Sequence, residues 1–149
     1  MTALRTARGF TLVEMAVTIL ILGLLVGFGV PAIQQGGRRQ ALKGAAENVQ
    51  GQLRLARERA IAGNAGQTMH FTMNYPPGTT WDYHLHNSAT PEAGWALPVG
   101  CVWYSSPGTL QFNTDGTITN FGTNKIIIQD SQRQRDTIYV QSSGLVLEK

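Results

Sequence analysis

The chain begins with a long, nearly continuous apolar stretch. Residues 10–33 contain a single charged side chain, Glu14, among apolar and small residues. An α-helix rises about 1.5 Å per residue, so a helix of this length spans a hydrocarbon core of about 30 Å. The pattern therefore predicts a transmembrane helix over 10–33. Pro31 lacks an amide hydrogen, which predicts a kink near 27–31.

A helical spacing of apolar residues follows on a more polar background. Between Arg38 and Ala62 the apolar positions recur every three or four residues, which places them on one stripe of a helix. They are Leu42, Ala45, Val49, Leu53, Ala56 and Ala60. Residues 34–63 are therefore expected to continue the helix in amphipathic form. Gly63, Asn64 and Gly66 are expected to end it.

Beyond residue 66 the pattern changes to alternation, which is the period of a β-strand. Met69, Phe71 and Met73 alternate with polar residues, and a second alternating run covers 81–86. Residues 87–99 are polar and contain proline and glycine, which predicts a loop. Further strands are expected at 101–105, 109–113, 117–121, 125–129, 136–142 and 144–148.

One helix followed only by strands defines the fold class as α+β. We expect a long N-terminal helix packed on an antiparallel β-sheet or small β-sandwich. Its first half would span the membrane and its second half would be amphipathic, and residues 64–149 would form a β-rich globular extracytoplasmic domain. Residues 113–116, Asn-Thr-Asp-Gly, are a hairpin signal within that domain.

Charge and cysteine content change this picture little. The formal net charge is +3, but Arg5 and Arg8 both precede the apolar stretch. Basic residues on that side predict a cytoplasmic N-terminus. Cys101 is the single cysteine, so no intrachain disulfide can form, and a buried, inert thiol is expected.

Residues 9–14, Gly-Phe-Thr-Leu-Val-Glu, join a short basic leader to the apolar stretch. This junction resembles the class III signal of type IV pilins and type II secretion pseudopilins. The resemblance implies that residues 1–9 are a leader peptide. A prepilin peptidase would cut between Gly9 and Phe10 and N-methylate the new terminus, Phe10.

Glu14 has a physical reason to seek a partner. A carboxylate in the apolar part of a membrane helix costs about 2.5–3.5 kcal/mol at the bilayer centre unless it is paired. The resemblance implies that Glu14 pairs with the Phe10 amine, across subunits, during filament assembly. The alternative is a glutamate near the membrane edge that reaches water.

A second motif narrows the resemblance. Residues 56–64 have the form Ala-Arg-x-x-Ala-Ile-x-x-Asn, which resembles the GspH/FimT branch of minor pseudopilins and minor pilins. The resemblance implies a minor pseudopilin of a type II secretion system, assembled into a periplasmic pseudopilus that drives protein export. The alternative is a FimT/FimU-type minor pilin of a type IV pilus, acting in assembly priming or at the tip.

The same resemblance implies the partners and location. The partners would be the prepilin peptidase, other pilin or pseudopilin subunits contacted through the N-terminal helix, the inner-membrane assembly platform and the lipid bilayer. The chain would be a single-pass protein of the bacterial inner membrane with its C-terminal domain in the periplasm, later incorporated in the filament.

The sequence offers little for catalysis. It contains no Gly-x-Ser-x-Gly, Ser-x-x-Lys or glycine-rich phosphate loop, so we expect neither an enzyme nor a cofactor. His70, His84 and His86 are weak metal-site candidates if strand register brings their rings together. The favoured interpretation is polar histidines on an exposed sheet face. A membrane-anchored metal-dependent enzyme is the hypothesis of a different class.

DNA binding is the remaining alternative. Some FimT-type minor pilins take up DNA through a basic Gly-Arg-x-Arg motif near the C-terminus. The corresponding residues here, 144–148, read Gly-Leu-Val-Leu-Glu and contain no arginine. The phosphate contacts that dominate such binding would be missing, so DNA is not expected as a partner.

Overall fold

The computed structural model describes residues 9–75, 77–87, 90–119 and 123–148. Within them the chain forms one long helix followed by nine strands. Helix α1 covers Leu12–Ala62. The strands are β1 Gln67–His70, β2 Tyr83–Asn87, β3 Thr90–Trp95, β4 Cys101–Ser105, β5 Thr109–Phe112, β6 Ile118–Thr119, β7 Lys125–Asp130, β8 Arg135–Val140 and β9 Val146–Glu148.

The chain divides into two compact units, Met1–Gly37 and Arg38–Lys149. The large apolar side chains described in the helix of the first unit are exposed, as Leu20 and Phe28 illustrate. By length and composition α1 can cross a membrane, since its most apolar window has a mean hydropathy of 2.5. Residues 27–31 lie inside α1, and the kink expected there stays a prediction.

The second unit contains two antiparallel sheets. One sheet has five strands in the order β3-β2-β1-β5-β6, and the other has four in the order β4-β7-β8-β9. The α+β class, with the long helix packed on antiparallel sheets, is confirmed. The hairpin expected at 113–116 joins β5 to β6, and a turn centred on Ser142 and Ser143 joins β8 to β9.

The apolar stripe of α1 and the inner faces of the sheets form one core. All six stripe residues expected to pack on the sheet are buried, and Val49, Leu53, Ala56 and Ala60 are fully so. Burying such side chains removes apolar surface from water, which stabilises the fold by about 25 cal/mol per Å² of surface buried. From the sheets the core receives Met69, Tyr83, Leu85, Leu110, Phe112, Ile126, Ile128, Ile138, Val140 and Val146.

The end of α1 is a Schellman motif. The amide of Ala65 donates to the carbonyl of Ala60 (3.3 Å), and the amide of Asn64 donates to that of Ile61 (3.4 Å). Asn64 adopts the left-handed conformation, with φ of 47°. The expected stop is confirmed, with asparagine rather than a glycine at the left-handed position.

Two strand predictions are wrong. Residues 87–99, expected as a loop, contain strand β3, which pairs with β2 through an irregular register between Leu85 and His86. Pro91 is tolerated because β3 is an edge strand, and the irregularity hides the alternation. Strand β1 also ends at His70, so Met73 lies exposed in the following turn rather than in a strand.

Candidate functional site

The predicted cleavage residues lie immediately before α1. Gly9 and Phe10 precede the helix, and the Phe10 side chain is 83% exposed. Residues 1–8, with the expected basic leader, are outside the described part of the chain. The junction between leader and helix is therefore accessible, as cleavage requires.

Thr11 and Glu14 form a capping box at the start of α1. The amide of Glu14 donates to Thr11 Oγ1 (3.2 Å), and the amide of Thr11 donates to Glu14 Oε2 (2.8 Å). The Thr11 hydroxyl also donates to Glu14 Oε2 (3.1 Å). These bonds satisfy amides that have no partner within the helix. Glu14 is thus held one turn above the predicted cleavage point.

The capping role of Glu14 was missed at the level of sequence. The signal is the spacing Thr-x-x-Glu ahead of an apolar run, which is the pattern of a capping box. The interpretation of Glu14 as an assembly residue left that local role out. The two roles are compatible, because a carboxylate accepts several hydrogen bonds.

Arg57, in the second motif, joins helix α1 to two turns. Its Nε donates to the carbonyl of Gly116 (3.1 Å), and its Nη2 donates to the carbonyl of Ser143 (3.3 Å). One turn belongs to the five-stranded sheet and the other to the four-stranded sheet. Gly144 lies against the carbonyl of Gly116, where a Cβ atom would collide. Arg57 therefore ties both sheets to the helix.

The rest of the motif has structural tasks as well. Ala56 and Ala60 are buried in the core, and Asn64 caps the helix. The neighbouring basic residues are also engaged: Arg54 Nη2 donates to the carbonyl of Val146 (3.5 Å), and Arg59 lies 3.7 Å from Glu92. The residues of this motif therefore hold the helix against the sheets.

Cys101 begins β4 opposite Asp130 of β7. The thiol is free and buried, and burial together with the Asp130 carboxylate raises its pKa. Because the thiolate is the reactive form, a raised pKa makes this cysteine less reactive.

The three histidines meet on one face of the five-stranded sheet. His70 of β1 is the register partner of His84 of β2, and His86 lies two residues further along β2. Their ring centroids are 5.1 Å (His70–His84), 4.6 Å (His70–His86) and 4.8 Å (His84–His86) apart. Tyr75 stacks on His84 at 5.0 Å.

The cluster is buried, contrary to the favoured interpretation of an exposed polar face. His84 is 1% and His86 8% exposed, while His70 is half-buried. The cover comes from the segment between β1 and β2, where Tyr75 and Thr72 line a cavity of about 190 Å³ together with the three rings. Periodicity could not reveal this cover, because it comes from an irregular segment.

Burial sets the electrostatics of the cluster. Burial, together with the neighbouring imidazoles of His86 and His70, lowers the pKa of His84 to about 4. The pKa of His70 is lowered by burial and by His86. Both nitrogens of His84 and Nε2 of His86 lack a hydrogen-bond partner among the described protein atoms. Burial therefore favours the neutral form of His70 and His84.

Comparison with known proteins first defines the class of the N-terminus. Residues 4–30 match the family model of the prokaryotic N-terminal methylation motif. This match covers most of the expected leader, the expected cleavage junction and most of the predicted membrane helix. It supports the sequence resemblance to prepilins.

Comparison of the fold gives a second match. It is similar to the type IV minor pilin FimU of Pseudomonas aeruginosa (strain PAO1), solved in two crystal forms. One has a TM-score of 0.57 at 15% identity, covering 74% of this chain and 90% of that chain. The other has a TM-score of 0.56 at 15% identity, covering 72% and 92%. No significant match was found among curated proteins.

The methylation motif and the fold together support a type IV pilin-like protein. Such proteins are structural subunits, which agrees with the expectation that the chain is not an enzyme. The N-terminal apolar helix suggests membrane anchoring followed by incorporation into a pilus-like filament.

Proposed function

We propose that the chain is a minor filament subunit made as a prepilin. The prepilin peptidase cuts it between Gly9 and Phe10 and methylates the Phe10 amine. The observation that carries this proposal is the methylation motif over residues 4–30, which runs into a helix long enough to cross a membrane. Before assembly, that helix anchors the subunit in the inner membrane with the β-rich domain in the periplasm.

The filament is a type II secretion pseudopilus or a type IV pilus. The GspH/FimT resemblance of residues 56–64 supports either, and the FimU-like fold fits the pilus alternative as well as the pseudopilus. In both, the subunit joins neighbouring subunits through its N-terminal helix at the assembly platform. In a pseudopilus it promotes the export of folded proteins, and in a pilus it primes assembly or lies at the tip.

Deleting the gene in the native host separates the two filaments. A pseudopilus subunit predicts loss of secreted proteins from the medium with pili retained, and a pilus subunit predicts the reverse. Complementation with the wild-type chain is the control. Normal secretion and normal piliation in the deletion strain would contradict both assignments.

The hydrogen bonds of the Glu14 side chain support its proposed role in assembly. Among the described residues, the hydrogen bonds of its side chain all involve Oε2. Oε1 is therefore left to accept a bond from the methylated Phe10 amine of an incoming subunit. An ion pair formed there in low dielectric is strong. Glu14 thus has a local task, capping, and an intermolecular one, pairing.

Two substitutions distinguish these tasks. Glu14→Gln preserves a capping box, which accepts glutamine at this position, but removes the charge. Glu14→Leu removes both. If pairing drives assembly, both variants are inserted and cleaved normally, and both are absent from sheared filaments. Thr11→Val, which weakens only the cap, is the matched control and should still assemble.

The opposite outcome is equally clear. If Glu14→Gln assembles like the wild type while Glu14→Leu and Thr11→Val both fail, the cap rather than the charge is required. The pairing of Glu14 with Phe10 would then be wrong.

The hypothesis of a different class, an anchored metal-dependent enzyme, keeps one specific observation in its favour, the histidine cluster. It predicts that His84→Gln abolishes an activity of the purified chain while filament assembly stays intact. The filament proposal predicts no such separation.

A further inference from the structure

The backbone places all three histidines of the chain on one side of the same two strands. Alternate residues of a strand share a face, and register partners in neighbouring strands lie side by side. His84 and His86 therefore lie on the face that His70 occupies in β1. Met69 and Leu85, on the opposite face, are buried in the core.

The spacing of the rings suits a single metal ion. With a metal–nitrogen bond of about 2.0–2.1 Å and about 1.2 Å from nitrogen to ring centroid, three imidazoles on one ion have centroids about 4.5–5.4 Å apart. That range corresponds to nitrogen–metal–nitrogen angles between a right angle and the tetrahedral angle. The observed separations of 4.6, 4.8 and 5.1 Å lie within it.

The ring planes, however, do not point at a common centre as they stand. The rings of His70 and His84 are parallel to within 3°, and no group of three potential ligands in the described part of the chain is arranged around one point. Rotation about the Cβ–Cγ bond re-aims the nitrogens and hardly moves the centroid. This torsion is broad in histidine, so binding requires ring rotation without movement of the strands.

The donor atoms and the space for an ion are both present. Buried polar atoms nearly always have a partner, yet Nδ1 and Nε2 of His84 and Nε2 of His86 have none among the described protein atoms. These rings line the cavity of about 190 Å³, and a water molecule takes about 30 Å³. The cavity therefore has room for an ion and a water molecule on its open coordination position.

The composition of the lining selects the kind of ion. It consists of His70, His84, His86, Thr72 and Tyr75. Neutral imidazoles suit zinc, copper and nickel, whereas magnesium and calcium prefer carboxylate and carbonyl oxygens.

We propose that His70, His84 and His86 bind one divalent transition-metal ion of the zinc type beneath Tyr75. The site stabilises the sheet on the side away from the helix, by joining β1 to β2 and holding the covering segment. The proposed metal site does not depend on which filament the subunit joins, and its test is separate from that of the proposed function.

Titration of the full chain with Zn²⁺ tests the site. The chain is purified in detergent with a tag that contains no histidine, so that every imidazole belongs to the cluster. We expect one Zn²⁺ per chain by calorimetry, a higher melting temperature with Zn²⁺, and neither effect with Mg²⁺. The histidine ring signals in NMR spectra should all shift together on adding Zn²⁺.

Substitution at the rim identifies the ligands. His70→Gln, at the half-buried member, should weaken Zn²⁺ binding by more than the roughly 10–100-fold caused by loss of an outer-shell partner. Thr68→Val is the matched control: it lies beside His86 in the register, outside the cavity lining, and removes a hydroxyl but no imidazole, so it should bind like the wild type. His84→Gln should abolish binding, and His70→Gln keeps the test valid if that buried variant does not fold.

Two results would overturn the proposal. One is Zn²⁺ binding no stronger than Mg²⁺ binding in the wild-type chain. The other is unchanged Zn²⁺ binding in His70→Gln, which would place the ion elsewhere.

Discussion

The contact between the two turns beneath Arg57 leads to a sharp stability prediction. Gly144 has φ of +76° and lies against the carbonyl of Gly116, while Gly108 has φ of +74° with open space around it. Gly144→Ala and Gly108→Ala therefore impose the same backbone strain. Only Gly144→Ala also adds a collision.

The magnitudes follow from these differences. A left-handed alanine costs about 1–2 kcal/mol, partly offset by about 0.4–1 kcal/mol from the stiffer unfolded chain. Gly108→Ala should thus lower the free energy of unfolding by about 1 kcal/mol. In Gly144→Ala the turns must also separate, which removes the two Arg57 hydrogen bonds, worth about 0.5–1.5 kcal/mol each. We expect a total loss of about 2–4 kcal/mol.

Urea unfolding of the full chain in detergent, followed by tryptophan fluorescence, measures both variants. Trp81, Trp95 and Trp103 all lie in the unit Arg38–Lys149, so the signal reports on the helix–sheet core alone. The two variants are compared at equal detergent concentration.

Equal losses of unfolding free energy in Gly144→Ala and Gly108→Ala would contradict this prediction. They would mean that the turns can move apart freely, and that Arg57 does not hold the two sheets to the helix. A further check is Arg57→Met, which keeps most of the side-chain volume. In the Arg57→Met background, Gly144→Ala should lower the free energy of unfolding by less than it does in the wild type, because the two Arg57 hydrogen bonds are already absent.

Two further predictions concern the second unit. A fragment starting at Arg38 should be soluble and unfold cooperatively, because the buried stripe of α1 and both sheets form their own core; aggregation of this fragment, checked by size-exclusion chromatography, would count against the boundary. The pKa of His84 is lowered to about 4 in the folded state, so on acidification the unfolded chain takes up the proton first. In the metal-free protein, the contribution of His84 to the free energy of unfolding should therefore be complete above about pH 6.5 and be lost as the pH falls toward 4. Urea midpoints across this range measure the effect, and a pH-independent midpoint would show that the imidazole is not buried as described.

The helix and most strands were accessible to sequence reasoning, because each has a regular period. The stripe from Leu42 to Ala60 is buried as its spacing predicts, and β4 and β5 lie where alternation places them. Strand β3 was not predicted because Pro91 and an irregular register interrupt its alternation of apolar and polar residues. A pattern reveals a strand only where every second residue shares one environment.

The candidate sites were predictable to different degrees. Two neighbouring alternating runs predict that His70 and His84 lie on polar faces of adjacent strands, but the register that brings their rings together stayed open. Their burial depends on Tyr75 in an irregular segment. The role of Arg57 depends on two turns far along the chain. Such contacts between distant segments leave no trace in local spacing.

Processing of the chain as a prepilin can be read from the mass of its N-terminal peptide. The peptide is isolated from membranes of the native host, with Gly9→Val as the control in which cleavage is blocked. We expect a wild-type peptide that begins at Phe10 and carries one N-methyl group, and an uncut precursor in the Gly9→Val strain. A wild-type peptide that still begins at Met1 would show that the chain is not cleaved as a prepilin.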